Sequence, residues 1–438
     1  ANAQQHGLGL VFDEASYTAV PQKITLTAGS YRGMPARASL EMFAPDAGDQ
    51  GKTSTCTAWA TAYHLRTILW GKQFNITDKA TLNKQAFSAI YLYNLIKDST
   101  VKDCQAGTNP VLAMEALMNV GVPTTKNAPF VCSELVPRIA NTQAPDYRIS
   151  DYQILFLPKD TDANVKTDAV KKAISEGYPV SICFKVYKSF YAGPKIWKRQ
   201  ATDIDTEGKH AMHAMCVVAY DEAVAGGSFK VLNSWGTKWA DNGYVWIPYK
   251  DFADCTIGAF QAYYDRTQPN PAPVPAPAPK PNPSPKPNPA PAPKPINTLL
   301  KGSVQFTTSD GRSMPATRVS TRNLVVADDE SAKEELTAYR MEQDYTSGTS
   351  FRFFINTNTE TYIYAFATNL TVTVNKILPF NDNMSPHIGP NSTVAFPSET
   401  KVVKMDDNKG TDYLLILYST QKLDANAIVQ QMSSTAGG

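Results

Sequence analysis

The stretch DQGKTSTCTAWATAYHL, residues 49–65, contains residue types that could perform nucleophilic chemistry. Gln50 lies six positions before Cys56, and a run of helix-forming residues follows the cysteine at once. A thiol becomes a good nucleophile at neutral pH when the N-terminus of a helix and a nearby imidazolium lower its pKa. Cys56 is therefore a candidate nucleophile, and a buried cysteine that serves only packing is the alternative interpretation.

Such a thiol needs a histidine partner, and the chain has five histidines. His64 lies on the same predicted helix as Cys56, about 12 Å further along its axis, so it cannot reach the thiol. His6 precedes the predicted elements and His387 follows a proline-rich stretch. We expect both of these to be solvated.

His210 and His213 remain, and both enter an apolar strand in the second half of this region. Either histidine could reach a thiol across a cleft between two lobes. A third group must hold such an imidazole in the correct tautomer and orientation. In the block NSWGTKW, Asn233 could do this and Trp235 could keep water from the hydrogen bond. Turn and core roles for this block are an equally good interpretation.

Hydrophobic periodicity divides the chain before residue 268 into a helical half and a β half. Helices are predicted over 57–70, 110–120 and 165–176, the first as one amphipathic helix. After Gly177 the runs YPVSICFKV, HAMCVVAYDE, SFKVLNS, GYVWIPY and AFQAYYD predict strands, with a glycine pair at 226–227 as a hairpin turn. Ligand sites favour clefts between such halves.

A proline-rich stretch at 268–296 separates two folded parts. Proline at nearly every second position prevents helix and sheet and favours polyproline II. We expect a spacer there, rather than a ligand for SH3-like or WW-like modules. Beyond it, FRFFINT, TYIYAFAT, STVAFP and DYLLILYS predict a mostly-β sandwich domain over 297–438, with a helix at 424–432.

Length and composition limit the classes of function. A chain of 438 residues favours two or three domains, and a net charge of +2 gives no reason to expect nucleic acid as a partner. No run of 18 apolar residues predicts a membrane span. The six cysteines are too sparse for a disulfide scaffold. Together with a first residue other than Met, they lead us to expect an exported protein. We also expect a monomer without cofactor or metal.

These motifs together resemble the papain family of cysteine peptidases over residues 35–265. Gln50 and Cys56 are similar in spacing to the family's oxyanion glutamine and nucleophile, and the Ala-Trp pair at 58–59 to the residues that follow. HAMCVVAY resembles the family's histidine strand, a match that selects His213 over His210. NSWGTKW is similar to the family's Asn-Ser-Trp-Gly block. The sequences DQG, at 49–51, and CTAWA, at 56–60, resemble those of bacterial exported members of the family.

The resemblance implies an α+β fold with a helical lobe and a β-barrel-like lobe, within a catalytic domain at 1–267 that includes an extension at 1–34. It also implies a mechanism. A thiolate of Cys56, paired with protonated His213, attacks a peptide carbonyl, while Gln50 and a backbone N–H bind the oxyanion. His213 then protonates the leaving amine and activates the water that hydrolyses the thioester. Asn233 keeps the ring aligned.

Further roles follow from the resemblance alone. The implied substrate-binding residues are Gly107, Cys183, Ala214 and Trp235. Cys183 and Cys216 are alternatively plain buried strand residues. The resemblance also implies a disulfide between Cys104 and Cys132.

Two departures from the family pattern stand beside the nucleophile. Thr57 replaces a tryptophan, and Thr53 replaces a half-cystine, so one family disulfide is lost.

The segment GLGLVFDEASYTAV is predicted as an ordered strand, and the residues before Gln50 are too few for a long helical propeptide. Latency must then depend on a removed segment or on another device.

The function predicted from these residues is a thiol-dependent endopeptidase. The alternatives are another acyl-transfer enzyme on the same scaffold, such as an exopeptidase, an amidase or a peptide ligase, or an inactive papain-like binding protein. The expected partner is a protein or peptide substrate. The C-terminal domain resembles accessory domains of bacterial exported proteins, which implies binding to a cell-envelope component or a protein.

Overall fold

The computed structural model describes residues 6–132, 138–204, 211–264, 300, 302–319, 338–369 and 374–435. These residues form two compact units. One unit comprises the described residues within 6–22 and 34–264, and the other comprises the described residues within 23–33 and 300–435. The predicted spacer at 268–296 lies outside the described residues, so the domain boundaries predicted on either side of it stay predictions.

The first unit combines helices with one twisted, mainly antiparallel sheet. Its α-helices are Glu14–Ala19, Cys56–Ala58, Thr67–Gln73, Lys79–Gln85, Ala89–Ile96, Pro110–Asn119, Arg138–Gln143, Ala163–Ser175 and Tyr249–Cys255. The strands of the sheet pair in the order Asp151–Ile154, Thr256–Tyr263, Val180–Val186, Ala211–Asp221, Ser228–Leu232 and Tyr244–Pro248. Arg37–Ser39 also pairs with Ala211–Asp221. This helical part followed by a β part confirms the α+β prediction.

Local sequence signals explain the helices that were predicted in this unit. Asn109 caps Pro110–Asn119 by accepting a hydrogen bond from the N–H of Val111, and proline at the first position costs nothing there. Asp162 caps Ala163–Ser175 in the same way. The glycines at 226 and 227 both have positive φ and close the predicted hairpin turn.

The helix predicted over 57–70 is longer and less regular than expected. It consists of Cys56–Ala58, a π-helical segment Trp59–Arg66, and Thr67–Gln73. The hydroxyl of Thr61 donates to the carbonyl of Thr57 at 2.7 Å, and such bonding to the i−4 carbonyl competes with the α-helical ladder. The π-helical segment includes Thr61, the donor of this bond.

This helix is not amphipathic, and that part of the prediction is wrong. Its polar side is buried as well, because polar partners lie inside the lobe. His64 is fully buried and accepts from the N–H of Gly48 at 3.5 Å. Arg66 donates to the carbonyl of Tyr147 at 2.9 Å and lies over the ring of Phe87.

The N-terminal stretch predicted as a strand is an extended segment followed by a helix. Asp13 accepts from the N–H of Ala15 and caps Glu14–Ala19, a start signal that outweighs the apolar run before it. Tyr17 in this helix is completely buried. Its hydroxyl donates to the carbonyl of Phe156 and accepts from the N–H of Ala259, each at 2.9 Å.

The second unit is mostly β, as predicted. Its strands are Gly302–Thr308, Ser313–Met314, Ala316–Val319, Ala338–Met341, Ser350–Thr357, Thr361–Thr368, Val374–Leu378, Met384–Ser385, His387–Ile388, Ser392–Phe396, Val403–Lys404 and Tyr413–Ser419. A core that includes Ile355 and Ile363 lies between two sheets. The helix Ala425–Thr435 covers the other face of one sheet, close to the helix predicted at 424–432.

A segment from the N-terminal part of the chain completes this second unit. Ile24 and Leu26 belong to its core. The N–H of Thr27 donates to the carbonyl of Thr393 at 2.9 Å, and the N–H of Ala28 donates to Glu399 at 2.7 Å. Lys23–Gly33 was predicted within the catalytic domain, but the structure groups it with the second unit.

Among the described residues, no helix combines the length and the apolar character that crossing a membrane requires.

Replacing Tyr17 with Phe should destabilise the first unit. The buried N–H of Ala259 would lose its acceptor, at a cost of about 1 to 3 kcal/mol. All six tryptophans precede residue 265, so urea unfolding followed by tryptophan fluorescence reports this unit. Tyr63→Phe is the control, since no hydrogen bond of that hydroxyl occurs among the described residues. Equal midpoints for the two variants would contradict the prediction.

Acid should destabilise the first unit through His64. Burial lowers the pKa of His64 from 6.5 to about 3. Between these values the unfolded chain binds a proton that the native state does not, so the free energy of unfolding falls as the pH drops through this window. His64→Gln should reduce that slope by about one proton, or about 1.4 kcal/mol per pH unit. Unfolding of the variant at pH 8, where His64 is neutral in both states, measures the effect of the substitution on packing alone. If the natural chain and His64→Gln had the same dependence of the free energy of unfolding on pH between pH 6 and 5, His64 would not be the group responsible.

Candidate active site

Cys56 begins the buried helix of the first unit. Its side chain has no exposed area. Burial raises the pKa of the Cys56 thiol above its ordinary value, while hydrogen bonds from the backbone of Ala214, Gly9 and Thr57 lower it in part. Besides its own helix, the sulfur therefore lies near two parts of the chain, and one of them is the residue that follows His213.

His213 lies on the strand Ala211–Asp221 and is also completely buried. Its Nε2 lies 2.7 Å from Oδ1 of Asn233, and Oδ1 also accepts the N–H of Ser234 at 2.8 Å. Since Oδ1 is the acceptor in both bonds, Nε2 carries the ring proton. Nδ1 is buried and has no hydrogen-bond partner among the described residues, so its lone pair is available to accept a proton.

Trp235 covers the imidazole on one side. Its ring stacks on that of His213 with centroids 4.9 Å apart. Burial lowers the pKa of His213 to about 4, with a further decrease from His6, while the hydrogen bond to Asn233 raises it. The surroundings thus favour a neutral imidazole and a neutral thiol in this arrangement, and not the ion pair expected from the sequence.

A chain of hydrogen bonds connects the imidazole to Gln50. The hydroxyl of Ser234 donates to Oε1 of Gln50 at 2.6 Å, and the N–H of Gln50 donates to the carbonyl of Ser234 at 2.9 Å. Gln50 Nε2 donates to the carbonyl of Thr53 at 2.7 Å. Sequence reasoning missed Ser234, although its place directly after Asn233 was the available signal.

Residues 7–11, hereafter the N-terminal segment, lie across this site. Gln50 Nε2 donates to the carbonyl of Gly7 at 3.0 Å. The N–H of Thr108 donates to the carbonyl of Gly9 at 2.7 Å, and the N–H of Val11 donates back to Thr108 at 3.0 Å. The groups predicted to meet a substrate therefore already have partners within the chain.

His6, which directly precedes this segment, is half-buried, whereas the sequence predicted a solvated residue. It stacks on Trp235 with ring centroids 4.8 Å apart and planes 6° apart. His387 is also buried, with its Nε2 3.2 Å from a carboxylate oxygen of Glu360 in the second unit, so the expected exposed position is wrong. His210 lies outside the described residues.

The other predicted residues occupy the strands and the loop around the thiol. Cys183 pairs with Ala214 in neighbouring strands and is buried. Cys216 and Cys255 are also free and buried. The backbone of Gly107 lies close to the N-terminal segment. A Cβ added to Gly107 would lie only 2.9 Å from the carbonyl oxygen of Gly9.

A disulfide fixes this loop to the rest of the helical part. Cys104 and Cys132 are bonded to each other, which is the pairing that the resemblance implies. The N–H of Ser54 donates to the carbonyl of Cys104 at 2.6 Å. The hydroxyl of Thr57 donates to the backbone carbonyl of Thr108 at 3.2 Å. The loop is thereby held against the start of the helix that carries the thiol.

Comparison with known families gives two matches. Residues 39–264 match the family described as "Papain family cysteine protease". Residues 344–422 match a "Domain of unknown function (DUF4384)". The range of the first match contains the four residues described above, which are Gln50, Cys56, His213 and Asn233. The description of the second match names no activity.

Individual relatives are distant. An uncharacterised peptidase C1-like protein of Acanthamoeba polyphaga mimivirus is 26% identical over 216 residues, which is 47% of this chain and 65% of the relative. The chain thus spans less than two thirds of that protein's length.

Similar solved structures include xylellain, a cysteine protease from Xylella fastidiosa, at 20% identity and a TM-score of 0.48, covering 60% of this chain and 97% of that one. Digestive procathepsin L 3 of Tenebrio molitor has 16% identity and a TM-score of 0.42, covering 57% of this chain and 77% of that one.

The family match is what decides the classification, since it extends over just over half of the 438 residues. The matched range contains Gln50, Cys56, His213 and Asn233. The chain belongs to the papain family of cysteine proteases.

Proposed function

We propose that the chain is a thiol-dependent endopeptidase in which Cys56 is the nucleophile, His213 the general acid and base, and Asn233 the residue that orients the ring. One observation carries this proposal: Nδ1 of His213 is buried without a hydrogen-bond partner among the described residues, while the backbone of the next residue, Ala214, lies close enough to the Cys56 thiol to lower its pKa. The hydrogen bond between His213 and Asn233 supports the same roles. Membership of the papain family supports the class of reaction.

The reaction begins with transfer of the thiol proton to Nδ1 of His213. Burial opposes this separation of charge, whereas the N-terminus of the helix at Cys56 favours the thiolate. The thiolate attacks the carbonyl carbon of a peptide bond and forms a tetrahedral oxyanion. Collapse of this intermediate expels the amine, which takes the proton from Nδ1, and leaves a thioester. Water, deprotonated by the same nitrogen, then hydrolyses the thioester.

The proposed oxyanion donors are Nε2 of Gln50 and the backbone N–H of Cys56. The carbonyl of Gly7 accepts from Nε2 in this structure, which supports the view that a carbonyl oxygen can occupy this position. The hydroxyl of Ser234 holds the other end of the amide. Donors fixed in advance of the reaction are effective because they need no reorganisation when charge develops.

A peptide in extended conformation is the proposed substrate. The backbone of Thr108 pairs with an extended segment of the chain itself, and main-chain pairing of this kind is a common mode of peptide recognition. The proposed contacts for substrate side chains are Gly107, Cys183, Ala214 and Trp235. An apolar side chain two residues before the cleaved bond would suit them.

We also propose that the protein is exported and acts as a monomer. The disulfide between Cys104 and Cys132 supports an oxidising compartment. For the second unit the proposed role is binding of a protein or of a cell-envelope component. A bacterial origin stays a prediction.

Replacing Cys56 with Ala should abolish peptide hydrolysis. Loss of a nucleophile in a comparable triad lowers kcat by about 10⁶-fold. Cleavage of a denatured protein, followed by mass mapping of the products, measures this and also shows whether the cuts are internal. Cys216→Ala, a free cysteine equally buried, is the matched control. Activity that persists without the Cys56 thiol would show that the nucleophile is another group.

Gln50→Ala should lower kcat/KM by about 10² to 10³-fold through the loss of an oxyanion donor. Ser234→Ala should have a smaller effect, about tenfold, because it releases Gln50 without removing it. The two effects should not add in the double variant, since Ser234 acts through Gln50. Kinetics on a short fluorogenic peptide provide the three values. Additive effects would mean that Ser234 does not act by positioning the amide.

A further inference from the structure

We propose that the N-terminal segment, residues 7–11, is a built-in and reversible plug that keeps the thiol inaccessible until a substrate displaces it. This proposal rests on the function proposed above, because it concerns the same site. Three sets of contacts carry it, and they involve the oxyanion donor, the nucleophile and the edge proposed to pair with a substrate.

The first contact occupies the oxyanion donor. Nε2 of Gln50 donates to the carbonyl of Gly7, and the N–H of Gly7 donates to the carbonyl of Gly51 at 3.1 Å. A substrate carbonyl cannot accept from Nε2 in the same way while that of Gly7 is in place.

The second contact covers the nucleophile. The backbone of Gly9 lies close enough to the Cys56 thiol to lower its pKa, and the sulfur has no exposed area. Any electrophile that reacts with Cys56 must first move this part of the segment.

The third contact uses the edge where an extended peptide would pair. The N–H and the carbonyl of Thr108 are both bonded to the segment, through Gly9 and Val11. Across the site, the N–H of Leu10 donates to the carbonyl of Met212 at 3.4 Å. The segment therefore bridges the loop on the helical side and the strand that carries the imidazole.

The sequence of the segment is adapted to this close approach. A Cβ on Gly7 would lie 2.0 Å from the carbonyl oxygen of Thr53, and a Cβ on Gly9 would lie 2.0 Å from that of Ser54. These are backbone atoms that cannot yield as the end of a flexible side chain can. The two glycines of the GLGL motif are thus required for seating, and neither has a positive φ that would explain them otherwise.

The segment can leave without unfolding the elements that follow it. The capped helix Glu14–Ala19 begins directly after Asp13, and Tyr17 fixes that helix to the carbonyl of Phe156 and the N–H of Ala259. Residues 7–11 are held by single hydrogen bonds, one isolated bridge and the buried side chain of Leu10. We therefore expect opening before Asp13, with the chain intact in the active protein.

The test compares the full chain with Gly9→Ala and Gly7→Ala, in which the added Cβ expels the segment. Gly410→Ala is the control, because a Cβ there meets nothing within 4 Å. Alkylation of Cys56 by iodoacetamide, mapped by peptide mass spectrometry, should be at least tenfold faster in the two plug variants and unchanged in the control. Rates within twofold of the natural chain in both would overturn the proposal.

A peptide added in trans separates plugging from general loosening. The peptide HGLGLVF should slow alkylation of Gly9→Ala back towards the natural rate, whereas HGLALVF should not. Equal effects of the two peptides would overturn the proposal. Alkylation does not require turnover, so accelerated labelling without peptide hydrolysis in any form would support the plug and refute the peptidase function.

A measurement on the natural chain covers the case in which the variants do not fold. Cys56 is blocked with a peptidyl chloromethyl ketone, and amide hydrogen exchange is compared before and after. Exchange in residues 7–11 should increase at least tenfold, while Glu14–Ala19 should stay protected. Unchanged exchange in residues 7–11 would overturn the proposal.

Discussion

The site depends on one constraint: the thiol of Cys56 and the imidazole of His213 are both buried, and one amide oxygen, Oδ1 of Asn233, holds the imidazole in place. Oδ1 of Asn233 accepts from both His213 and the N–H of Ser234, so it fixes the ring, its tautomer and the start of the connection to Gln50. Burial makes these hydrogen bonds strong, but it also opposes any net charge on the thiol and the imidazole. The same feature that aligns the site thus keeps it neutral at rest.

Parts of the chain that are far apart in sequence meet to satisfy this constraint. Cys56 is the first residue of a helix that is buried on all sides. At this position the helix dipole favours a thiolate. The strand Ala211–Asp221 brings His213 from the other part of the unit. The turn after Leu232 supplies Asn233, and the loop around Gly107 is held by a disulfide. Since each element is anchored in the common core, the geometry does not depend on long flexible loops.

Much of this was predictable from sequence, because local signals carried it. The capped helices, the apolar strands and the motif spacing around Cys56 needed only nearby residues. What failed depended on distant partners. His6 was expected to be solvated because its partner, Trp235, is far away in sequence. The central helix was expected to have an exposed face because the internal acceptor for Arg66 could not be foreseen. The place of Lys23–Gly33 in the second unit likewise rests on long-range packing.

The resting charge state connects the geometry to reactivity. With the N-terminal segment in place, burial raises the pKa of the Cys56 thiol and lowers that of His213 to about 4. Opening of the segment would admit water or substrate dipoles and reduce that penalty. The most direct measurement is ¹⁵N NMR of the His213 ring in the natural, unmodified chain at pH 7. The account predicts a neutral ring with its proton on Nε2 that titrates near pH 4. A doubly protonated His213 at pH 7 would contradict it.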